Sequence, residues 1–308
     1  MRMTRTLLFV FILILLVGCT NAIPFTLQNG GTNSSTETIS PSQESTVIPS
    51  ITVEPTPDVP FIAIVNEEGI RLGDYEEEIR RYEAAIIRLE QEFEEEQAKL
   101  IVLQSMIDTV LLAQAARENG YILEQDGLNI KVSNLINDVG GEPQFQQWLD
   151  ENFYSQESFL RVYKLELEAV WMRDKIIGEV PLREEQIRAR QIVVSNKTLA
   201  EDIYRQLENG IEFDYYAWGY DQLSGGELGW FPREYLILPQ IENAVFNLQA
   251  GEYTEVIESV YGFHIVEVME RELDRQLTQD ALIQKQKIAL SNWLNTQIEN
   301  SSIILNEN

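Results

Sequence analysis

A polar, proline-rich stretch from Thr20 to Pro60 confines the folded part of this chain to the residues after it. The stretch holds 14 Ser and Thr residues and six of the chain's ten prolines, and no basic residue occurs between Arg5 and Arg71. Such a segment cannot bury enough apolar area to offset the entropy that ordering it would cost. We therefore expect residues 19–60 to form a disordered Ser/Thr/Pro tether with a reach of about 35 Å.

The start of the chain is typical of an export signal. Two arginines precede an apolar run over residues 7–17, which is shorter than the roughly 20 residues that a spanning helix needs. The run ends in Leu16-Val17-Gly18-Cys19, which resembles the lipobox of bacterial lipoproteins. The resemblance implies that residues 1–18 are a signal peptide and that Cys19 carries a lipid. An uncleaved signal anchor with a buried cysteine is the alternative.

Charge and cysteine content exclude several classes of protein. The chain has 23 Lys and Arg against 50 Asp and Glu, a formal net charge of −27. A nucleic-acid partner is therefore not expected, because binding to phosphates needs a basic surface. One Cys and one His rule out a disulfide scaffold and a Cys/His zinc cluster. We expect no metal and no cofactor.

The region that follows the tether is predicted to be mainly helical. A short strand is expected at Phe61–Val65, and Asp74 is the predicted N-cap of a first helix. The apolar positions of that helix recur at gaps of four and three residues: Tyr75, Ile79, Tyr82, Ile86, Leu89 and Phe93. Further helices are predicted over residues 100–116, 124–138, 142–151 and 156–177. Pro181 marks a boundary.

Beyond Pro181 the pattern changes to a mixture of strands and helices. Strands are predicted over residues 189–194, 255–258 and 263–269, and helices over 198–209 and 240–248. A last helix over residues 278–300 aligns an apolar stripe that needs a partner, which the first helical region can supply. The fold class is therefore α+β, with a small antiparallel sheet and flanking helices after an all-helical region.

Six blocks between residues 187 and 271 carry a resemblance to a known family. They are Arg190-Gln-Ile-Val-Val, Asn209-Gly-Ile-Glu-Phe213, Gly225-Gly-Glu-Leu-Gly-Trp-Phe-Pro-Arg233, Pro239-Gln-Ile-Glu-Asn-Ala-Val-Phe246, Ala250-Gly-Glu252 and Tyr261-Gly-Phe-His-Ile-Val266. In this order they resemble the parvulin-type (PpiC, rotamase) peptidyl-prolyl isomerases. The helices around them are similar to the chaperone lobe of extracytoplasmic foldases of the PrsA and SurA type. The resemblance implies a helical lobe over 61–180, an inserted isomerase domain over 181–275, and a closing helix over 276–308 that packs on the lobe.

The resemblance also assigns roles to individual residues. Parvulins bind the proline ring in an apolar pocket, and the matching positions here are Leu228, Ile237 and Ile241, where the family's aromatic ring is missing. Phe263 is placed with them on the substrate-binding surface. The polar residues implied around the peptide bond are His264, Ser259, Asp221 and Gln191, of which Gln191 stands where the family has its first histidine.

The same residues also admit a purely structural interpretation. His264 alternates with Val266 and Val268 on one strand face, as a core histidine would. The apolar pocket residues could be ordinary core, and Asp221 a solvated turn residue. Gln191 can still donate and accept hydrogen bonds in place of a histidine.

Two functions follow, and they differ in class. The first is a membrane-anchored, extracytoplasmic peptidyl-prolyl cis-trans isomerase of reduced activity that assists the folding of secreted proteins. The second is a holdase chaperone whose parvulin domain serves as a scaffold. Rotation about an X–Pro bond breaks no covalent bond, which agrees with the absence of a cofactor motif. The expected partners are unfolded or proline-containing secreted polypeptides, the membrane through a lipid, and a second copy in a homodimer.

Overall fold

A computed structural model describes residues 59–306 of the chain. The predicted signal peptide, Cys19 and the tether up to residue 58 lie outside the described residues. Between residues 59 and 306 the chain forms nine α-helices: α1 (Leu72–Arg88), α2 (Glu95–Glu118), α3 (Gln125–Val139), α4 (Glu142–Glu151), α5 (Gln156–Gly178), α6 (Lys197–Glu208), α7 (Phe213–Tyr220), α8 (Pro239–Val245) and α9 (Gln279–Asn300).

The same range contains seven β-strands: β1 (Phe61–Val65), β2 (Glu68–Arg71), β3 (Arg183–Val194), β4 (Glu227–Pro232), β5 (Ile257–Ser259), β6 (Gly262–Gln276) and β7 (Ile303–Leu305). These elements divide into two compact units. Within the described residues, the first unit consists of 59–111, 124–165 and 301–306, and the second of 112–123 and 166–300. Helices α2 and α5 contribute residues to both. The expected α+β class is confirmed.

The first unit combines a three-stranded antiparallel sheet with helices. The strand order is β2-β1-β7, so the end of the chain pairs with its first strand. A separate apolar cluster of Leu135, Phe145, Leu149 and Phe159 packs α3, α4 and the start of α5 together. The predicted helices over 124–138, 142–151 and 156–177 are present to within a residue at each end.

The first helix differs from its prediction at both ends. Arg71, not Asp74, is the N-cap residue, and Asp74 is buried inside α1. Its carboxylate accepts two hydrogen bonds from Arg161, at 2.6 and 2.8 Å. The helix ends at Arg88, because Glu90 adopts a left-handed backbone (φ 57°). Phe93 therefore lies outside α1, although it keeps the helical spacing.

The second unit is built on a four-stranded antiparallel sheet in the order β4-β3-β6-β5. One face carries a core with α8, formed by Ile187, Ala189, Phe231, Ile241, Val245, Phe246, Val266 and Val268. We call this set the α8-side core. The opposite face packs on α6 and α7 through Ile192, Val194, Ala200, Ile203, Leu207, Phe213, Ala217 and Ile265.

The central strands are longer than predicted. Strand β3 begins at Arg183 and β6 continues to Gln276, so that their outer halves form a two-stranded ribbon. The ribbon is rich in charged residues and is joined by ion pairs such as Arg183–Asp274, with Nε and Oδ1 3.1 Å apart. It lacks the apolar alternation by which a half-buried strand is recognised in a sequence.

Helix α9 belongs to the second unit. Ala281 and Leu290 are its buried residues, and Gln286 Nε2 donates a hydrogen bond of 3.3 Å to the carbonyl oxygen of Ile177, near the end of α5. The final helix therefore contacts the helical segment that leads into the four-stranded sheet.

Candidate active site

The pairing of β3 with β6 brings Gln191 and His264 to one face of the sheet. His264 lies opposite Val193, and Gln191 lies opposite Val266, so the two side chains are diagonal neighbours. Side chains alternate between the faces of a strand, and both residues therefore share a face with the α8-side core. They continue the apolar row of that core toward the end of the sheet where β5 and β6 turn.

Three side chains form a hydrogen-bonded chain at this point. Gln191 Oε1 lies 3.0 Å from His264 Nδ1, and Ser259 Oγ lies 2.6 Å from His264 Nε2. The amide oxygen can only accept, so Nδ1 carries the ring proton and Nε2 accepts from the Ser259 hydroxyl. That hydroxyl in turn accepts from the backbone N–H of Tyr261 at 3.0 Å. Three residues assigned by the resemblance are thus in contact.

His264 is only 3 % exposed. Burial disfavours its charged form and lowers the pKa of the imidazole from its usual value of 6.5. The ring is therefore neutral at pH 7, in the tautomer that the two hydrogen bonds require. We call the Ser259–His264–Gln191 arrangement the polar chain.

The Gly225–Gly226 turn fixes the backbone of Gln191. The Gln191 N–H donates to the carbonyl oxygen of Gly226 at 2.9 Å. Gly226 has a left-handed backbone (φ 73°), and a Cβ atom there would lie 1.9 Å from the carbonyl oxygen of Gln191. A residue with a side chain could not adopt this backbone without pushing Gln191 away from its place beside His264.

Asp221 is not part of the polar chain. Its carboxylate accepts from the backbone N–H groups of Leu223, Ser224 and Gly226 at 3.0–3.2 Å, and from the Ser224 hydroxyl. The Ser224 hydroxyl, followed by these backbone donors, lowers the pKa of Asp221 to about 2. Asp221 therefore orders the loop that leads into Gly226, and it acts on Gln191 only through that loop.

The four predicted substrate-binding residues have different surroundings. Leu228 is half-buried against the α8-side core, and Ile241 belongs to that core and is 3 % exposed. Ile237 is 87 % exposed on the loop between β4 and α8. Phe263 lies on the opposite face of the sheet, where it packs against the core formed with α6 and α7. The structure thus brings Leu228 and Ile241 together, but neither Ile237 nor Phe263 joins them.

Three further apolar residues complete this surface and were missed by the sequence analysis. Leu236, Leu238 and Ile257 are half-buried against the α8-side core, as Leu228 is. Ile257 lies directly opposite His264 in the pairing of β5 with β6. The sequence signal for Ile257 was the β-like pattern at 255–258, because this strand comes directly before the strand that holds His264 and can pair with it. The result is an aliphatic surface beside the polar chain.

Two arginines of β3 are held by acidic side chains. Arg190 pairs with Glu267, with Nε and Oε2 2.5 Å apart, and also with Asp214. Arg188 pairs with Glu227 and Glu270, each at 2.8 Å.

Within residues 59–306, no group of three or more His, Cys, Asp or Glu side chains is arranged to hold a metal ion. A cavity of about 690 Å³ in the second unit is lined by residues that include Met172, Ile288 and Trp293, and by none of the residues of the polar chain.

Comparison with known families agrees with this geometry. The sequence model of the family described as "PPIC-type PPIASE domain" matches residues 180–272, which include the polar chain and the aliphatic surface. Residues 180–272 are thus similar to the PPIC-type PPIase domain, and we refer to them below as the PPIase domain. The match begins next to Pro181 and ends within β6, and it leaves α9 outside the PPIase domain as this family defines it.

Individual relatives match longer stretches of the chain than the family model does. The foldase protein PrsA of Caldanaerobacter subterraneus is 29% identical over 181 residues, which are 54% of this chain and 55% of the relative. The chaperone SurA of Burkholderia pseudomallei is 33% identical over 116 residues, 33% of this chain and 25% of the relative. The chain thus spans about half, or less, of the length of these curated relatives. A crystal structure of the peptidylprolyl isomerase PrsA from Bacillus anthracis, 22% identical, covers 64% of this chain and 96% of its own, with a TM-score of 0.41.

Gly226→Ala should destabilise the PPIase domain more than Gly229→Ala does. Both glycines have φ 73°, but a Cβ atom at Gly229 would meet nothing within 4 Å. We expect each variant to lose about 1–2 kcal/mol through the left-handed backbone, and Gly226→Ala to lose more through its contact with Gln191. Urea unfolding followed by circular dichroism measures both. Equal losses would show that the contact with Gln191 contributes nothing.

The single histidine of the chain gives a direct test of the buried polar chain. The imidazole Cε1–H signal should titrate with a pKa below 6.5, because burial disfavours the charged ring. The unfolded chain takes up this proton more readily than the folded one. The stabilisation from the neutral ring is therefore fully present above pH 6.5 and is lost as the pH falls through the folded-state pKa. Nuclear magnetic resonance in buffer and in urea compares the two states, and a folded-state pKa at or above 6.5 would contradict the arrangement.

Proposed function

We propose that the PPIase domain catalyses cis-trans isomerisation of X–Pro bonds, and that the chain as a whole is an extracytoplasmic foldase. The observation that carries the proposal is the polar chain of Ser259, His264 and Gln191, which lies beside an aliphatic surface on the same face of one sheet. The family match over residues 180–272 supports it.

The chemistry needs only these two features. The barrier to rotation about a peptide bond is about 18–20 kcal/mol, and no covalent bond is made or broken. An apolar surface that holds the proline ring away from water favours the twisted amide, which has lost its resonance and is less polar than the planar form. Leu228, Leu236, Leu238 and Ile257 would provide that surface. Polar groups fixed in advance beside it can stabilise the twisted carbonyl or nitrogen.

Two features favour a low rate. Gln191 orients His264 through its amide oxygen, but it cannot exchange a proton with the imidazole as a histidine could. Ile241 stands where the resemblance places the family's aromatic ring, so a proline ring gains no aromatic contact from that position. We therefore propose reduced isomerase activity, with the holdase function as the outcome if catalysis is absent.

The decisive measurement is the rate of isomerisation of a proline-containing peptide by the full chain. Leu228→Ala should lower kcat/KM about tenfold, which corresponds to about 1.4 kcal/mol of barrier. Gln191→His should raise it by about the same factor by creating a pair of imidazoles. Leu273→Ala is a matched control, because Leu273 is exposed on β6 outside the site. Unchanged rates in both test variants would mean that the domain acts as a scaffold, and suppression of aggregation would then measure the holdase function.

We also propose that the chain acts outside the cytoplasm, anchored through a lipid on Cys19. The support is the lipobox-like Leu16-Val17-Gly18-Cys19 and the similarity to PrsA and SurA proteins. The proposed partners are unfolded or proline-containing polypeptides. The division into a helical lobe (61–180 and 276–308) with an inserted isomerase domain (181–275) and the homodimer remain predictions.

Lipidation is tested by metabolic labelling with a clickable fatty acid. The wild-type protein should carry the label, and Cys19→Ser should not, because no other cysteine exists in the chain. Fractionation of the same cells should move the serine variant from the membrane to the soluble fraction. Label on the serine variant, or none on the wild type, would exclude the anchor.

A further inference from the structure

The loop between β4 and α8, residues 233–238, has a strained backbone beside the proposed proline-binding surface. Tyr235, Leu236 and Leu238 pack against the α8-side core. Glu234, which precedes them, has φ 63°. A left-handed backbone at a residue other than glycine costs about 1–2 kcal/mol, and it persists only where surrounding contacts hold it.

The N–H groups of this loop are held from inside the domain by one carboxylate. Glu242, on α8, is buried, and its two oxygens accept from the N–H of Glu234 at 2.6 Å, of Tyr235 at 2.9 Å and of Leu236 at 3.0 Å. These contacts fix the donors of three successive residues. They leave the carbonyl oxygens of the loop to be satisfied elsewhere.

The carbonyl oxygens are bound from outside by α9. Gln284 Nε2 donates to the carbonyl oxygens of Glu234 and Tyr235, at 3.0 and 3.1 Å. Lys285 Nζ donates to the carbonyl oxygen of Arg233 at 3.3 Å and to Glu234 Oε2 at 3.0 Å. Both residues lie beyond residue 272, where the family match ends. The loop 233–238 of the PPIase domain is therefore held by hydrogen bonds from a helix that lies outside the family match.

We propose that Gln284 and Lys285 are positioning residues for the proline-binding surface, which act by holding the loop 233–238 in its strained conformation. The proposal rests on the proposed function of the PPIase domain. Without α9 the loop would relax at Glu234, and the side chains of Leu236 and Leu238 would leave the core. Peptide would then bind only the fraction of molecules that still hold the loop, so its apparent affinity would fall to that fraction of the original value.

The expected signature is a change in KM with kcat retained. In the full chain, Gln284→Ala combined with Lys285→Ala should raise KM for a proline peptide about five- to tenfold and leave kcat within about twofold. Hydrogen exchange should accelerate at the amides of residues 234–236 and stay unchanged in residues 187–194 of β3 and 263–268 of β6. The outer ends of these strands are not the reference, because Lys285 Nζ also lies 3.4 Å from Glu184 Oε1 at the start of β3. Lys287→Ala, which removes an exposed lysine of the same helix, is the matched control.

Rescue distinguishes positioning from a general loss of stability. Glu234→Gly in the double variant should bring KM back toward the wild-type value, since glycine adopts φ 63° without strain. Lys285→Arg alone should retain the wild-type KM. Gln284→Ala alone should give a smaller rise in KM, and it keeps the test available if the double variant fails to fold by circular dichroism.

The outcomes separate this inference from the proposed function. If the wild type does not isomerise peptide, the proposed function fails. The inference is then tested by the Kd of a labelled proline peptide, which fluorescence anisotropy measures for the wild type and for the same variants. Unchanged amide exchange at 234–236, or faster exchange with an unchanged KM and Kd, would overturn the positioning role of α9. A fall in kcat without a change in KM would also overturn it.

Discussion

The antiparallel pairing of β3 with β6 is the constraint on which the PPIase domain depends. Its register sets Val193 opposite His264 and Gln191 opposite Val266, and so decides which side chains share a face. A slip of β3 by one residue would turn Gln191 into the core with α6 and α7, on the face opposite His264, and the two side chains could no longer meet. The same register places alternate apolar residues in the two cores on either face of the sheet. The packing that fixes the register therefore also fixes the geometry of the site.

Two residues near the site have left-handed backbones that help to keep neighbouring segments in place against these strands. The left-handed backbone at Gly226 lets the chain before β4 approach the backbone of Gln191 closely. The left-handed backbone at Glu234 precedes the loop residues that pack against the α8-side core. Each is stabilised by a carboxylate that accepts from three backbone N–H groups, Asp221 in the first case and Glu242 in the second. Asp221 and Glu242 thus act as structural hydrogen-bond acceptors.

The extent to which the sequence predicted the molecule follows from the range of each interaction. Helices α3, α4 and α5 were predicted closely because apolar spacing within one helix is local. The contact of His264 with Gln191, 73 positions apart, was implied by the family resemblance, and hydropathy alone would not have shown it. The separation of Phe263 from His264 was within reach of sequence reasoning, since adjacent strand residues point to opposite faces. The two bonds of Asp74 to Arg161 were not, because they depend on how two helices pack.

The charged ribbon formed by the outer halves of β3 and β6 has a consequence for the ancestry of such proteins. Arg183 pairs with Gln276, so the polypeptide enters and leaves the four-stranded sheet on neighbouring strands about 5 Å apart. A module whose two ends meet in this way can be spliced into a surface loop of an unrelated host with little distortion of either partner. Recombination could therefore move it between chains as a unit, and the ion pairs along the ribbon would travel with it.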